Sequence, residues 1–163
     1  MGRWPYSERY TVEECKSVTT QYLNKHGYFN LTGVIIKSSM RWIREEKETG
    51  FMRFEISIDP GDEYIHFINH PTNQKEELDY IVELASTPCY FGGKRWWFIC
   101  PLVTNGVSCQ RRVGALYFVG KYAGCRHCKN LTYESSKENH RFDTLFRKLG
   151  MSPKEGKLYT KNL

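Results

Sequence analysis

Residues 52–62 read Met52-Arg53-Phe54-Glu55-Ile56-Ser57-Ile58-Asp59-Pro60-Gly61-Asp62. Met52, Phe54, Ile56 and Ile58 alternate with Arg53, Glu55 and Ser57. A period of two puts the apolar set on one face of a strand and the polar set on the other. Asp59-Pro60-Gly61-Asp62 is turn chemistry, and Tyr64 to Asn69 can return as the hairpin partner. The same period extends outward. Met40 and Trp42 alternate with polar residues on one side, and Leu78, Tyr80, Val82 and Leu84 supply a further strand on the other. Residues 34–86 therefore read as an antiparallel meander of about four strands with one apolar face. The meander contains no glycine-rich phosphate loop, nucleophile elbow or paired-histidine motif.

Before the meander, Thr11-Val12-Glu13-Glu14 has the form of a capping box. Val12, Cys15, Val18, Tyr22 and Leu23 follow at helical spacing, and Gly27 is a stop signal after Lys25 and His26. This predicts a short N-terminal helix of about four turns that plugs the end of the sheet, with Cys15 as a core thiol. After the meander, Thr87-Pro88-Cys89-Tyr90-Phe91-Gly92-Gly93 breaks the alternation. The expected division is a helix-plus-sheet domain over 1–86 and a second part over 87–163.

The second part carries most of the cysteines. Cys100 and Cys109 are spaced C-x8-C, fifteen residues separate Cys109 from Cys125, and Cys125-Arg126-His127-Cys128 is a C-x2-C knuckle. A tight knuckle turns two thiolates toward one ion while backbone amides point at the sulfurs. Four thiolates make a closed tetrahedral zinc site with no open position for a substrate. The insertion Leu102 to Ser108 stretches the first pair, and its Asn105-Gly106 is a tight-turn signal. The reading is one structural Zn2+ on Cys100, Cys109, Cys125 and Cys128, with Cys89, His127 and His140 as alternative ligands. Val113, Leu116, Phe118 and Tyr122 mark the strands of a zinc ribbon between the knuckles.

Beyond the ribbon, Ser135-Ser136-Lys137-Glu138 is a second capping box, and Phe142, Leu145, Phe146 and Leu149 follow at i, i+3, i+4 and i+7. Gly150 and Pro153 end the pattern. This predicts a C-terminal amphipathic helix that docks by its Phe/Leu side. Lys137, Arg141 and Lys148, flanked by His140 and Arg147, form its basic side. The expected class is thus α+β: short N-terminal helix, antiparallel meander, four-cysteine zinc ribbon, C-terminal basic helix.

Charge is segregated along the chain. Residues 1–93 hold 10 Lys+Arg against 14 Asp+Glu, a net of −4, and residues 94–163 hold 14 against 4, a net of +10. A positive field confined to one part of a chain favours a polyanionic partner. Arg111, Arg112, Arg126, Lys129, Arg141, Arg147 and Lys148 are the expected phosphate contacts. Trp96-Trp97-Phe98 can stack bases, although such a run more often packs ribbon against sheet. Across 163 residues with 40% hydrophobic and 15% aromatic side chains, no apolar run approaches a membrane span, and the first ten residues have no secretory h-region. A cytoplasmic setting keeps thiols reduced and favours metal ligation over disulfides.

The motifs at Thr87-Pro88-Cys89, Gly92-Gly93-Lys94-Arg95-Trp96-Trp97-Phe98-Ile99-Cys100-Pro101, Cys109-Gln110-Arg111-Arg112-Val113, Leu116-Tyr117, Cys125-Arg126-His127-Cys128 and Leu131-Thr132-Tyr133-Glu134-Ser135 resemble a family of small bacterial, phage and mobile-element proteins. That family's pattern runs TPC-x2-GG-x-R-x-WF-x-CP, C-G-R-R-V-x-x-L-Y and C-R-x-C-x-x-L-x-Y-x-S-Q. The resemblance covers residues 87–141 well and 11–86 loosely. Gln110 replaces a glycine of the pattern, and Ser136 replaces a glutamine. The resemblance implies a zinc ribbon with the same four cysteines and no particular activity. Two functions are expected from the sequence. The leading one is a zinc-stabilised, non-enzymatic nucleic-acid-binding protein. The alternative is a phage or mobile-element factor that binds and inhibits a host nucleic-acid-processing defence machine.

Overall fold

A computed structural model describes residues 9–69, 78–137, 147–148 and 150. The expected α+β class is corrected. Strand accounts for 52% and helix for 9% of the described residues, which are mostly antiparallel β. In chain order the elements are β1 (Lys16–Thr19), α1 (Thr20–Lys25), β2 (Ile36–Arg44), β3 (Lys47–Asp59), β4 (Asp62–Asn69), β5 (Leu78–Pro88) and β6 (Lys94–Ile99). There follow β7 (Val103–Thr104), β8 (Val107–Ser108), β9 (Arg112–Val113), β10 (Ala115–Phe118), β11 (Ala123–Gly124) and α2 (Glu134–Lys137).

The N-terminal helix is half strand. Glu14 does reach back to the Thr11 amide, at 2.8 Å, as a capping box requires. No helix follows that contact, because Lys16–Thr19 pairs antiparallel with β10, Val18 opposite Leu116. Val18, Thr19 and Thr20 are β-branched and concede little by leaving a helix. Pairing gives them a ladder of hydrogen bonds, and Val18 is 2% exposed. The helix that remains is α1, six residues capped by Thr19, whose hydroxyl accepts from the Tyr22 amide at 3.0 Å. The expected C-terminal amphipathic helix is likewise corrected: none is evident among the described residues, where only the four residues of α2 and the pair Arg147 and Lys148 are helical beyond the ribbon. Its apolar arc of Phe142, Leu145, Phe146 and Leu149 lies outside the described residues. No helix among the described residues is long and apolar enough to cross a membrane.

Three sheets form. The largest has the order β2-β3-β4-β5-β6-β9, a second has β1-β10-β11, and β7-β8 is a hairpin of two-residue strands. The register of the large sheet aligns the alternating apolar residues. Phe54 faces Phe67, Ile56 faces Ile65, Phe67 faces Tyr80, and Leu84 faces Phe98. These side chains make one inner face on which Phe54, Ile56, Ile65, Phe67, Val82 and Phe98 are at most 1% exposed. Leu23 of α1 and Phe29 just beyond it join this core, as do Val18, Leu116 and Ala123 of the three-stranded sheet. Phe118 meets Phe67 edge-on at 5.6 Å and Trp42 at 5.4 Å, and the Trp42 indole N–H donates to the Ser17 carbonyl at 2.9 Å. The expected boundary at residue 86 falls inside β5, which pairs with β6 across it, Thr87 opposite Arg95. By backbone proximity the chain forms compact units over Met1–Thr132 and Tyr133–Leu163.

Candidate metal centre

The end of β6 delivers Cys100 to the rim of the large sheet. Cys100 is 1% exposed, and its amide donates to the Arg111 carbonyl at 3.0 Å, continuing the β6–β9 ladder. The chain then makes the β7–β8 hairpin. Asn105 and Gly106 hold φ of 52° and 77°, the left-handed pair of the tight turn that Asn-Gly signals. The Cys109 amide closes the excursion on the Leu102 carbonyl at 2.9 Å. The insertion therefore loops out and returns Cys109 beside Cys100, and the C-x8-C spacing costs the site nothing in geometry.

The second pair arrives from β11. Gly124 sits against the Leu102 side chain so tightly that a Cβ there would collide with Leu102 Cδ1. That close approach brings the two halves of the centre together. Cys125 is buried, and the following turn is held by Lys129 N–H to Cys125 O at 3.1 Å and Leu131 N–H to Arg126 O at 3.0 Å.

All four Sγ atoms lie within 4.8 Å of one another. Cys100 and Cys128 sulfurs are 4.0 Å apart, and those of Cys109 and Cys125 are 3.8 Å apart. Four sulfurs about 2.3 Å from a tetrahedral ion are about 3.8 Å from each other, so the set fits such an ion. The sulfurs also receive backbone amides. Cys125 N–H points at Cys100 Sγ at 3.3 Å, and Cys128 N–H at Cys125 Sγ at 3.4 Å. Cys100 also takes a backbone bond from Leu102, and Cys109 one from Arg111. Such donors stabilise thiolate charge and orient the ligands. Without an ion, burial and the neighbouring sulfurs push the Cys128 thiol up to about 12. An ion that binds here must therefore displace protons.

Among the described residues this is the one group of three or more His, Cys, Asp or Glu side chains placed to hold a metal. Cys89 is exposed in the β5–β6 turn and stands apart from the cluster, and the His127 side chain is exposed. Cys15 donates to the Thr11 carbonyl at 3.1 Å, a local contact. His140 lies outside the described residues.

The expected phosphate contacts divide. Arg111 and Arg112 are exposed directly after Cys109. Arg126 is half-buried inside the knuckle. Lys129 is half-buried, and its ammonium donates to the Val119 carbonyl at 2.7 Å. Burial pushes its pKa down. Arg147 and Lys148 are exposed in the C-terminal unit, and Arg141 lies outside the described residues. The aromatic run resolves as packing for two of its members. Trp96 stacks on Phe29 at 5.0 Å and Phe98 is fully buried, whereas Trp97 is only half-buried. Tyr90 and Phe91 escaped the sequence reading. They are 95% and 96% exposed, and their position at a glycine-closed hairpin tip was the available signal. Comparisons of the chain with known protein families, with curated proteins and with solved structures find no match.

Proposed function

We propose that this is a non-enzymatic nucleic-acid-binding protein built around one structural zinc ion. The observation that carries the reading is a closed four-sulfur centre within a chain segment, residues 94–163, whose formal charge is +10. A set of four thiolates suits zinc or iron, and four protein ligands leave no position for a reacting group. The ion's contribution is then to folding. Arg111 and Arg112 project beside the centre, and a guanidinium pair there can neutralise phosphates without sequence preference. The family resemblance of residues 87–141 is consistent with a zinc ribbon and adds no activity of its own.

Zinc analysis of the purified chain combined with a salt titration of DNA and RNA binding tests this. About one zinc per chain is expected, with affinity that falls steeply as salt is added. Arg111→Gln with Arg112→Gln should flatten the salt slope by up to about two units and weaken all sequences alike. A coloured, iron-loaded protein would overturn the choice of metal. Failure to bind any nucleic acid at low salt would overturn the function.

A further inference from the structure

The hairpin joining β5 to β6 ends in two aromatic rings that no described residue covers. Its turn is tight: the Cys89 amide donates to the Gly93 carbonyl at 3.1 Å, and the Gly92 amide to the Cys89 carbonyl at 3.0 Å. Gly92 and Gly93 hold φ of 88° and 80°, which a residue with a Cβ rarely adopts. The turn holds Tyr90 and Phe91 almost entirely in water, their rings perpendicular and 5.1 Å apart. Exposed aromatic pairs of this kind mark contact sites, because leaving them wet forgoes the burial that would otherwise stabilise the fold.

At the base of the same hairpin lies a cleft of about 610 Å³, in the size range of ligand sites. It runs along the edge of β6. Lys94 to Trp97 pair with β5 on one side, whereas β9 pairs only with Phe98 and Ile99 on the other. The opposite wall is the start of α1, which contributes Thr20, Gln21 and Asn24. Among the described residues the lining includes Lys94 and Arg95 and no carboxylate. Arg95 lies 5.6 Å over the Trp97 ring, and the Trp97 indole N–H is tied to the Thr87 hydroxyl at 2.9 Å. Cations, amide side chains and a planar ring thus share one wall-to-wall space beside the aromatic tip.

We propose that the hairpin tip and this cleft bind unpaired nucleic-acid bases. The inference rests on the nucleic-acid reading above and names its substrate class: single strands in preference to duplex. Tyr90 and Phe91 stack on splayed bases, as aromatic platforms do irrespective of sequence. Lys94 and Arg95 meet the phosphates between them, and Gln21 and Asn24 offer donors and acceptors to base edges. A duplex keeps its bases stacked on one another and cannot use the tip in this way.

The test compares three probes of equal length with the zinc-loaded full chain at low salt: an oligothymidylate, a base-free backbone carrying the same phosphates, and a duplex. The oligothymidylate should bind tightest. Tyr90→Ala with Phe91→Ala should lower its affinity by about 10-fold or more, given what stacking contributes per base. The same variant should leave the base-free backbone unchanged and the metal content intact. Lys94→Gln with Arg95→Gln should flatten the salt slope for all three probes by up to about two units. Equal binding of the base-bearing and base-free strands overturns the proposal, as does a double aromatic variant that binds like the parent. Either result leaves the general nucleic-acid reading standing. No binding of any probe fells both, and turns the β6 edge over to an extended peptide added as a strand.

Discussion

The large sheet and the metal centre solve the same problem by different physics. From β2 to β6 the strands are 9, 13, 8, 11 and 6 residues long, and their inner face buries Met52, Phe54, Ile56, Ile65, Phe67 and Phe98 almost completely. Around the cysteines the strands β7, β8, β9 and β11 have two residues each. Apart from Cys100 and Cys125, the large side chains buried between 100 and 131 are Leu116, Tyr117 and Leu131. Apolar burial near 25 cal/mol per Å² can order the first region but leaves the second under-supported. An ion held by the four sulfurs would compensate, because its binding free energy is folding free energy. The lesson is that one chain can mix the two devices where a sheet runs out: β6 continues directly into Cys100, the first of the four clustered cysteines.

The contrast makes graded predictions. The largest effect should come from Cys125→Ser. It should release the metal and strip hydrogen-exchange protection from residues 100–131, since structural zinc in small units is worth about 10 kcal/mol or more. Amides of β3 and β4 should stay protected. Their simultaneous loss would show that the two regions are one cooperative unit and break the comparison. Next, Phe67→Ala removes a fully buried ring from the sheet core and should cost about 3–5 kcal/mol by denaturant unfolding. A cost under about 1 kcal/mol would mean that the core does not rest on this layer.

Smaller still is Gly124→Ala. Its methyl must displace Leu102, so stability should fall by about 1–3 kcal/mol and zinc should exchange faster with a chelator. Unchanged exchange would show that the two halves of the centre tolerate separation. The smallest change is a gain. Gln110 holds φ of 47° directly after the second ligand, a left-handed position that suits glycine. Gln110→Gly should therefore raise stability by up to about 1 kcal/mol, read as a higher Tm with metal bound. Glu46, at φ 65° in the β2–β3 turn, is the matching position in the sheet, and Glu46→Gly there tests whether such relief depends on the metal.

What the sequence determined by itself was local. The period of two in Met52 to Ile58 placed the inner face, because a strand's geometry forces alternate residues to opposite sides. Asn105-Gly106 announced a turn, and the knuckle at Cys125–Cys128 announced a ligand pair, because both need only a few bonds to define their shape. Gly27 follows α1 and its cap with φ of 77° for the same reason. The long-range facts were not legible. Lys16–Thr19 carried a helical pattern, and only the availability of β10's edge made it a strand. The expected ribbon strands went to two different sheets, β9 beside β6 and β10 beside β1. The hydrogen bond from the Lys129 ammonium to the Val119 carbonyl depended on where the fold brought that carbonyl. Tyr90 and Phe91 passed as part of a junction until the turn held them in solvent. Each of these outcomes depends on which distant segment arrives at a given edge, and tertiary pairing overrides the weak local preference that a sequence pattern records.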